Sequence, residues 1–249
     1  MTRILLVGES WVTEATHISG FDTFTTVDFD IGAKRFKQVL SSAGMSVDHV
    51  LAHEASEAFP STLDELAKFD AVVLSDVGAY SILIHPDTWK HGRTHVNRLA
   101  LLADWVRHGG GLAMAGGYMS FQGVDAKARF HGTAVEEVLP VDIDPFDDRI
   151  ETPEGQSADV CDSEHPVVKG IEGEWPILLG HNRCRLKPGA TLLASIAGDP
   201  LLAVREVGAG RTLAWTSDIS PHWCPQAFMD WSGYERLFVQ AMRWLAGES

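Results

Sequence analysis

Five residues scattered over a chain of 249 carry side chains suited to moving a proton or gripping a polar ligand: Glu9, Asp76, Tyr118, Asp218 and His222. They lie in four segments that each follow a short apolar run: Gly8-Glu9-Ser10-Trp11, Asp76-Val77-Gly78-Ala79, Gly116-Gly117-Tyr118-Met119-Ser120-Phe121-Gln122 and Ser217-Asp218-Ile219-Ser220-Pro221-His222-Trp223. Imidazole has its proton affinity near neutrality, and a carboxylate four residues before it, across a proline-containing loop, can orient it. Asp218 and His222 are therefore a candidate orienter and a candidate acid or base. The Gly116-Gly117 pair builds a sharp turn, since small residues let the backbone fold back and lift one side chain above a sheet. That side chain is Tyr118. Glu9 could share a proton with the phenol, or else cap a helix or hold a loop amide. Around these, Ser10, Trp11, Asp76, Gly78, Gly117, Met119, Gln122 and Trp223 are candidate ligand-binding positions.

The elements that must position these residues are legible as apolar runs alternating with helix-period stretches, the pattern of a mostly parallel sheet covered by helices on both faces. Arg3 to Val7, Ser46 to Leu51, Asp70 to Ser75 and Leu112 to Ala115 read as strands. Gly32 to Ala43, with Phe36, Val39 and Leu40 on one face, reads as a helix. So does Arg93 to His108, with Leu99, Leu102, Trp105 and Val106 inward. Ser61 reads as the N-cap of a short helix to Lys68, with a capping box through Asp64. Asp142 to Asp159 reads as a long loop. Thr191 to Ile196, Leu201 to Arg205 and Arg211 to Thr216 are three further strands, and Tyr234 to Leu245 is a closing amphipathic helix. In an open parallel sheet, ligands bind beyond the carboxyl ends of the strands, and parallel strands deliver their following loops to one edge. The five chemical residues should therefore meet there.

Composition narrows the partners. A formal net charge of -14 leaves no basic face for a phosphate backbone, so neither nucleic acid nor an anionic membrane is expected. No apolar run reaches transmembrane length, and the N-terminal one is too short for a signal peptide core, so a cytoplasmic protein is expected. Cys161, Cys184 and Cys224 are widely spaced and odd in number, which suggests reduced thiols. Cys224, two residues past His222, is a candidate replacement nucleophile, though packing is its commoner role. His17, His85, His91 and His95 match no metal-ligand pattern beyond one four-residue step, so no metal and no cofactor is expected. Trp89, Phe121, Phe130 and Phe146 fall in loops, and apolar loop patches of that kind mark interfaces, so a homo-oligomer is expected.

The segment Gly116-Gly-Tyr-Met-Ser-Phe-Gln122 resembles the Gly-x-Cys-x-Gly-x-Gln elbow of class I glutamine amidotransferases, with Tyr118 in place of the cysteine and Ser120 in place of the second glycine. The late His-x-Glu of those enzymes is replaced by Asp218 and His222. With Thr16-His-Ile-Ser-Gly-Phe-Asp-Thr-Phe24, Leu74-Ser-Asp-Val-Gly78, His165-Pro-Val-Val-Lys-Gly170 and Thr216-Ser-Asp-Ile-Ser-Pro-His-Trp223, the whole chain is similar to the amidotransferase-like family of uncharacterised cytoplasmic proteins. That family is related to trehalose-utilisation-type proteins and to the trimerisation-type domain of some β-galactosidases. The resemblance implies a flavodoxin-like α/β fold over residues 1–249 as one domain, with an embellished C-terminal third. It places Glu9 beside the elbow, and Gly78 with the Met119 amide at the oxyanion-hole positions. A phenol is mostly protonated at neutral pH and is a poor substitute for a thiolate. The function expected is therefore binding or transformation of a small carbohydrate-like or amide metabolite, as a hydrolase or lyase without the Cys-His-Glu triad. The alternative is a non-catalytic binding or assembly module.

Overall fold

Strands buried on both faces need apolar side chains at every position, and the centre of this molecule is built from four such stretches. A computed structural model describes residues 1–248. The N-terminal half comprises β1 (Arg3–Gly8), β2 (Ser10–Ser19), β3 (Asp22–Ile31), α1 (Lys34–Ser42), β4 (Ser46–Val50), α2 (Ala55–Ala58), α3 (Leu63–Leu66) and β5 (Ala71–Ser75). It continues with α4 (Ala79–Leu83), α5 (Pro86–His91), α6 (Arg98–Arg107), β6 (Gly111–Ala115) and α7 (Ala134–Val138). The remainder is β7 (Val141–Ile143), β8 (Arg149–Gln156), β9 (Ala158–Val160), β10 (Leu178–Asn182), β11 (Cys184–Leu186), β12 (Thr191–Ile196), β13 (Asp199–Val207), β14 (Gly210–Trp215), α8 (Gln226–Asp230) and α9 (Ser232–Leu245).

The main sheet has the order β4-β1-β5-β6-β14-β13-β12-β9. From β4 to β14 every pairing is parallel, and the last three strands add on antiparallel. One face is covered by α1 and α9, where Phe36, Val39, Leu40, Leu237, Phe238 and Met242 are buried. The other lies under α6 and α7, through Leu99, Leu102, Trp105, Val106, Val135 and Val138. This is the flavodoxin-like arrangement expected.

One element has no counterpart in the sequence reading, and four local expectations are corrected. Residues 10–31 form an antiparallel hairpin, β2 with β3, that stands out from the body with nearly every side chain exposed. Asp142 to Asp159 is no loop: β7 pairs with β11, β8 with β10, and β9 joins the main sheet through β12. Its partners lie so far along the chain that no local pattern announces them. The helix expected from Arg93 begins at Arg98, because the Asn97 side chain accepts from the amides of Leu99 and Ala100 and fixes the start there. The capping box uses Thr62 and Glu65 rather than Ser61 and Asp64. Phe121 and Phe130 are fully buried, whereas Trp89 and Phe146 are exposed.

Candidate functional site

Glu9 and Asp76 immediately follow β1 and β5, and the backbone at both turns into the left-handed region, with φ of 49° and 45°. Such conformations cost non-glycine residues about 1–3 kcal/mol and persist where the surroundings over-determine them. Here the Glu9 amide donates to the Ser75 carbonyl at 2.7 Å, and the Asp76 amide donates to the Ser120 hydroxyl at 3.0 Å. The turns aim both carboxyl groups inward over the sheet edge. Tyr118 has no positive φ; the sharp bend expected at the elbow is made by Gly117, φ 142°, one residue earlier.

Asp218 follows β14 in a loop pinned from below. The Trp215 indole donates to the Asp218 carbonyl at 3.0 Å, and the Tyr234 hydroxyl donates to the Ile219 carbonyl at 2.7 Å. Oxygens of Glu9, Asp76 and Asp218 all lie within 4.8 Å of one another, and all three residues are buried. Ser75 donates its hydroxyl to Glu9 Oε2 at 2.5 Å, and Ser220 donates to Glu9 Oε1. Asp76 Oδ1 accepts from the Met119 amide at 2.7 Å, and Asp218 Oδ1 accepts from the Ser220 amide at 3.1 Å. Glycine closes the floor from two sides: a Cβ at Gly32 would stand 2.4 Å from Glu9 Oε1, and one at Gly117 would stand 2.4 Å from Asp76 Oδ1.

Burial sets the electrostatics. It raises the pKa of Glu9, against the hydrogen bonds from Ser220 and Ser75 that lower it. It raises Asp76 and Asp218 well above the ordinary carboxylate range, and the neighbouring carboxyl groups push both further in the same direction. The three cannot all be ionised together, so the floor retains protons and presents O–H donors beside oxygen acceptors. The imidazole of His222 is 3.6 Å from Asp218 Oδ2 by Nδ1, and desolvation lowers its pKa, which leaves it neutral at neutral pH. Three clustered carboxyl oxygens are also hard donors of the kind that Mg²⁺ or Ca²⁺ takes. Among the described residues no other group of His, Cys, Asp and Glu has comparable spacing.

Glu9, Trp11, Asp76, Tyr118, Asp218, Ser220, Pro221 and His222 line one cavity of about 240 Å³. The five residues singled out for proton chemistry thus meet at the carboxyl edge. Trp11 forms a wall. The rim is aromatic: Tyr118 meets His222 edge-on with centroids 4.3 Å apart, and His222 stacks on Trp223 at 5.2 Å. Other candidates do not reach the cavity. The Ser10 hydroxyl accepts from the Ala52 amide, and Gln122 Oε1 accepts from the His131 amide, so both serve loop geometry. The Met119 amide is engaged by Asp76 and is not free as an oxyanion donor, and Gly78 is the N-cap residue of α4. Cys224 is buried, with its thiol pKa pushed up, first by burial and then by Asp218 and Glu9.

Sequence reasoning missed the residues that hold the site together. Glu151, on β8, accepts from the Tyr118 hydroxyl and from the Trp223 indole, both at 3.0 Å. Arg149, two residues earlier, lies 4.9 Å over the Tyr118 ring and is paired with Asp147. Asn182 clamps Gly117, accepting from its amide and donating to its carbonyl, while Asp148 accepts from the amides of Gln122 and Gly123. Ser75 and Ser220 stood inside noted segments, but nothing marked them as partners of Glu9.

The fold and this site can be set beside known proteins. A cytoplasmic protein, STM3548, from Salmonella typhimurium is 38% identical, with a TM-score of 0.94 over 97% of this chain and 98% of that one. A ThuA-like protein from Parabacteroides merdae is 14% identical, with a TM-score of 0.59 over 98% of this chain and 90% of that one. A β-galactosidase from Rahnella sp. R3, also 14% identical, gives 0.54 over 84% of this chain and 26% of that one. The last two share the fold. A search among curated proteins finds no match. The chain belongs to the GATase1_like family, described as "Putative glutamine amidotransferase", whose model matches residues 3–247.

Proposed function

We propose that this protein binds a small polyhydroxylated or amide metabolite in the cavity at the carboxyl edge of its sheet and transforms it by proton transfer, as a hydrolase or lyase in which His222 is the acid or base. The observation that carries the reading is the set of three buried carboxyl groups within 4.8 Å of one another at the cavity floor. Because they share protons, they offer donors and acceptors side by side, which suits hydroxyl and amide groups that do both. The volume of about 240 Å³ lies below the 300–1,000 Å³ of drug-sized sites, which favours a metabolite of about monosaccharide size. Perturbed carboxyl groups beside an imidazole are also the pattern by which acid and base roles are divided at catalytic sites.

A second reading, a binding module without catalysis, draws support from two occupied groups: the Met119 amide and the Tyr118 hydroxyl are both engaged by carboxylates. Under either reading the whole chain acts as one domain, works in the cytoplasm and associates with copies of itself. The test is a thermal-shift screen of monosaccharides, polyols and carboxamides, with Mg²⁺ and Ca²⁺ run separately, on the wild type and on Asp76→Asn. A ligand that binds the folded state raises its melting temperature, and by more the further its concentration exceeds the Kd. A rise seen in the wild type and lost in the variant supports the pocket. No stabilising compound, or equal stabilisation of both proteins, sinks it. Turnover of a stabilising compound, lost in His222→Ala, separates the enzyme from the module.

A further inference from the structure

The hairpin of β2 and β3 presents two different faces to water. In the antiparallel register Val12 lies opposite Phe29, Glu14 opposite Val27 and Ile18 opposite Thr23, so these share one face. The other face carries Trp11, Asp30, Thr13, Asp28, His17 and Phe24. Between its apolar side chains the first face carries Glu14 and the threonines Thr16, Thr23 and Thr25, and Val12, Ile18, Val27 and Phe29 are 57%, 74%, 65% and 47% exposed. At the base of the arm the Phe29 ring meets His53 edge-on at 5.3 Å. A lone two-stranded hairpin is marginal in water, and an apolar ribbon face left wet is an interaction surface.

Area selects the occupant. Two ten-residue strands make a ribbon about 33 Å long and about 10 Å wide, which offers a face of about 330 Å². A stable interface buries about 800 Å² on each partner, so two arms stacked face to face fall well short. An exchange in which each copy gives one arm and receives another doubles the buried surface to about 660 Å² per copy, close to that requirement. The receiving surface must then be apolar and tolerate Glu14, the acidic residue on the face that docks. The stretch from α4 through α5 to Val96 fits: Tyr80, Trp89 and Val96 are 49%, 65% and 40% exposed. Cations stand among them, with Lys90 over the Trp89 ring at 5.2 Å and Arg129 over Tyr80 at 4.8 Å. Like the arm, this stretch begins at the carboxyl edge of the main sheet, where α4 follows β5.

We propose that the β2–β3 arm crosses to a second copy of this chain and lies with its apolar face on the α4–α5 surface, in a closed exchange where every copy gives one arm and receives one. This rests on the self-association read above and names the device that produces it; it does not depend on the identity of the metabolite.

Light scattering coupled to size exclusion tests it on the full chain at micromolar concentration. The wild type is expected at two or more times 27.2 kDa. Val27→Glu, Ile18→Glu and Trp89→Glu are expected to elute as folded monomers, or with an apparent Kd raised at least about tenfold. A chain in which Gly-Gly replaces residues 12–29 should also be monomeric, while Thr13→Lys, on the opposite face, should stay assembled. Circular dichroism melts confirm that each variant is folded, and any that is not is replaced by the point variants that are. A monomeric wild type ends both the self-association reading and the arm. A wild type that is assembled, with Val27→Glu, Ile18→Glu or Trp89→Glu assembled equally well, overturns the arm exchange alone.

Discussion

Tyr118 and His222 stand ring edge to ring face, 4.3 Å between centroids, but the phenol hydroxyl donates to Glu151 rather than to the imidazole. Burial, and then Glu151, raise the phenol pKa further above its usual value. A residue at the elbow that is neither deprotonated nor aimed at the base cannot attack a carboxamide as a thiolate does. Ammonia release from glutamine should therefore match the enzyme-free blank in both the wild type and Tyr118→Phe. Release well above that variant would overturn the assignment.

The carboxyl floor makes stability depend on pH. Asp76 and Asp218 have folded pKa values raised above the ordinary range, so the folded chain keeps protons that the unfolded chain gives up. Their contribution is fully present below the unfolded carboxyl pKa of about 4 and is lost as pH rises through the raised folded values. Asp76→Asn keeps the acceptor for the Met119 amide and removes that loss. Its melting temperature should exceed the wild type's at pH 8, by about 2–4 °C for each kcal/mol of repulsion relieved, with the gap closing towards pH 4. A constant gap across that range would contradict the shared-proton floor.

Gly117→Ala should damage the same floor by sterics alone. The residue sits at φ 142°, and its new Cβ would lie 2.4 Å from Asp76 Oδ1. Strain plus displacement of a buried carboxyl predicts a loss of at least about 2 kcal/mol in urea unfolding. A loss below about 0.5 kcal/mol would mean that the turn relaxes freely.

Only one thiol should react in the folded protein. Cys161 is exposed, whereas Cys184 and Cys224 are buried, with their pKa values raised first by burial. Titration with Ellman's reagent should count one thiol in buffer and three in guanidinium. Rapid modification of Cys224 in buffer would reopen its candidacy as a nucleophile.

Glu151→Ala should leave the Tyr118 hydroxyl and the buried Trp223 indole without their acceptor, at a cost of about 1–3 kcal/mol. Glu151→Gln keeps one oxygen and should lose less. Equal stability of Glu151→Ala and wild type in chemical denaturation would show that water replaces the carboxylate.

The parallel half of the sheet was legible because β1, β5 and β6 are uninterrupted apolar runs, and their loops reach one edge by topology whatever their sequences. Hence Glu9, Asp76 and Asp218 could be brought together from positions alone. The β2–β3 arm escaped notice because neither of its faces is buried in the chain's own core, so its alternation points to nothing within the molecule. Glu151 and Asn182 escaped because β8 and β10 find each other across a stretch of irregular chain. That Asp76 takes the Met119 amide is not legible in the sequence, because a turn's shape does not reveal which carboxylate will claim its donor.

The missing side chains at Gly32 and Gly117 bear on how this pocket can change over evolutionary time. Any larger residue at either position strikes a floor carboxyl group, so single substitutions there cannot reshape the base of the cavity without dismantling it. A single substitution that reshapes the pocket therefore has to fall in its walls, at positions such as Trp11 and Pro221. Trp11 belongs to β2, so a change in how the hairpin sits on the body also reshapes the pocket that Trp11 walls.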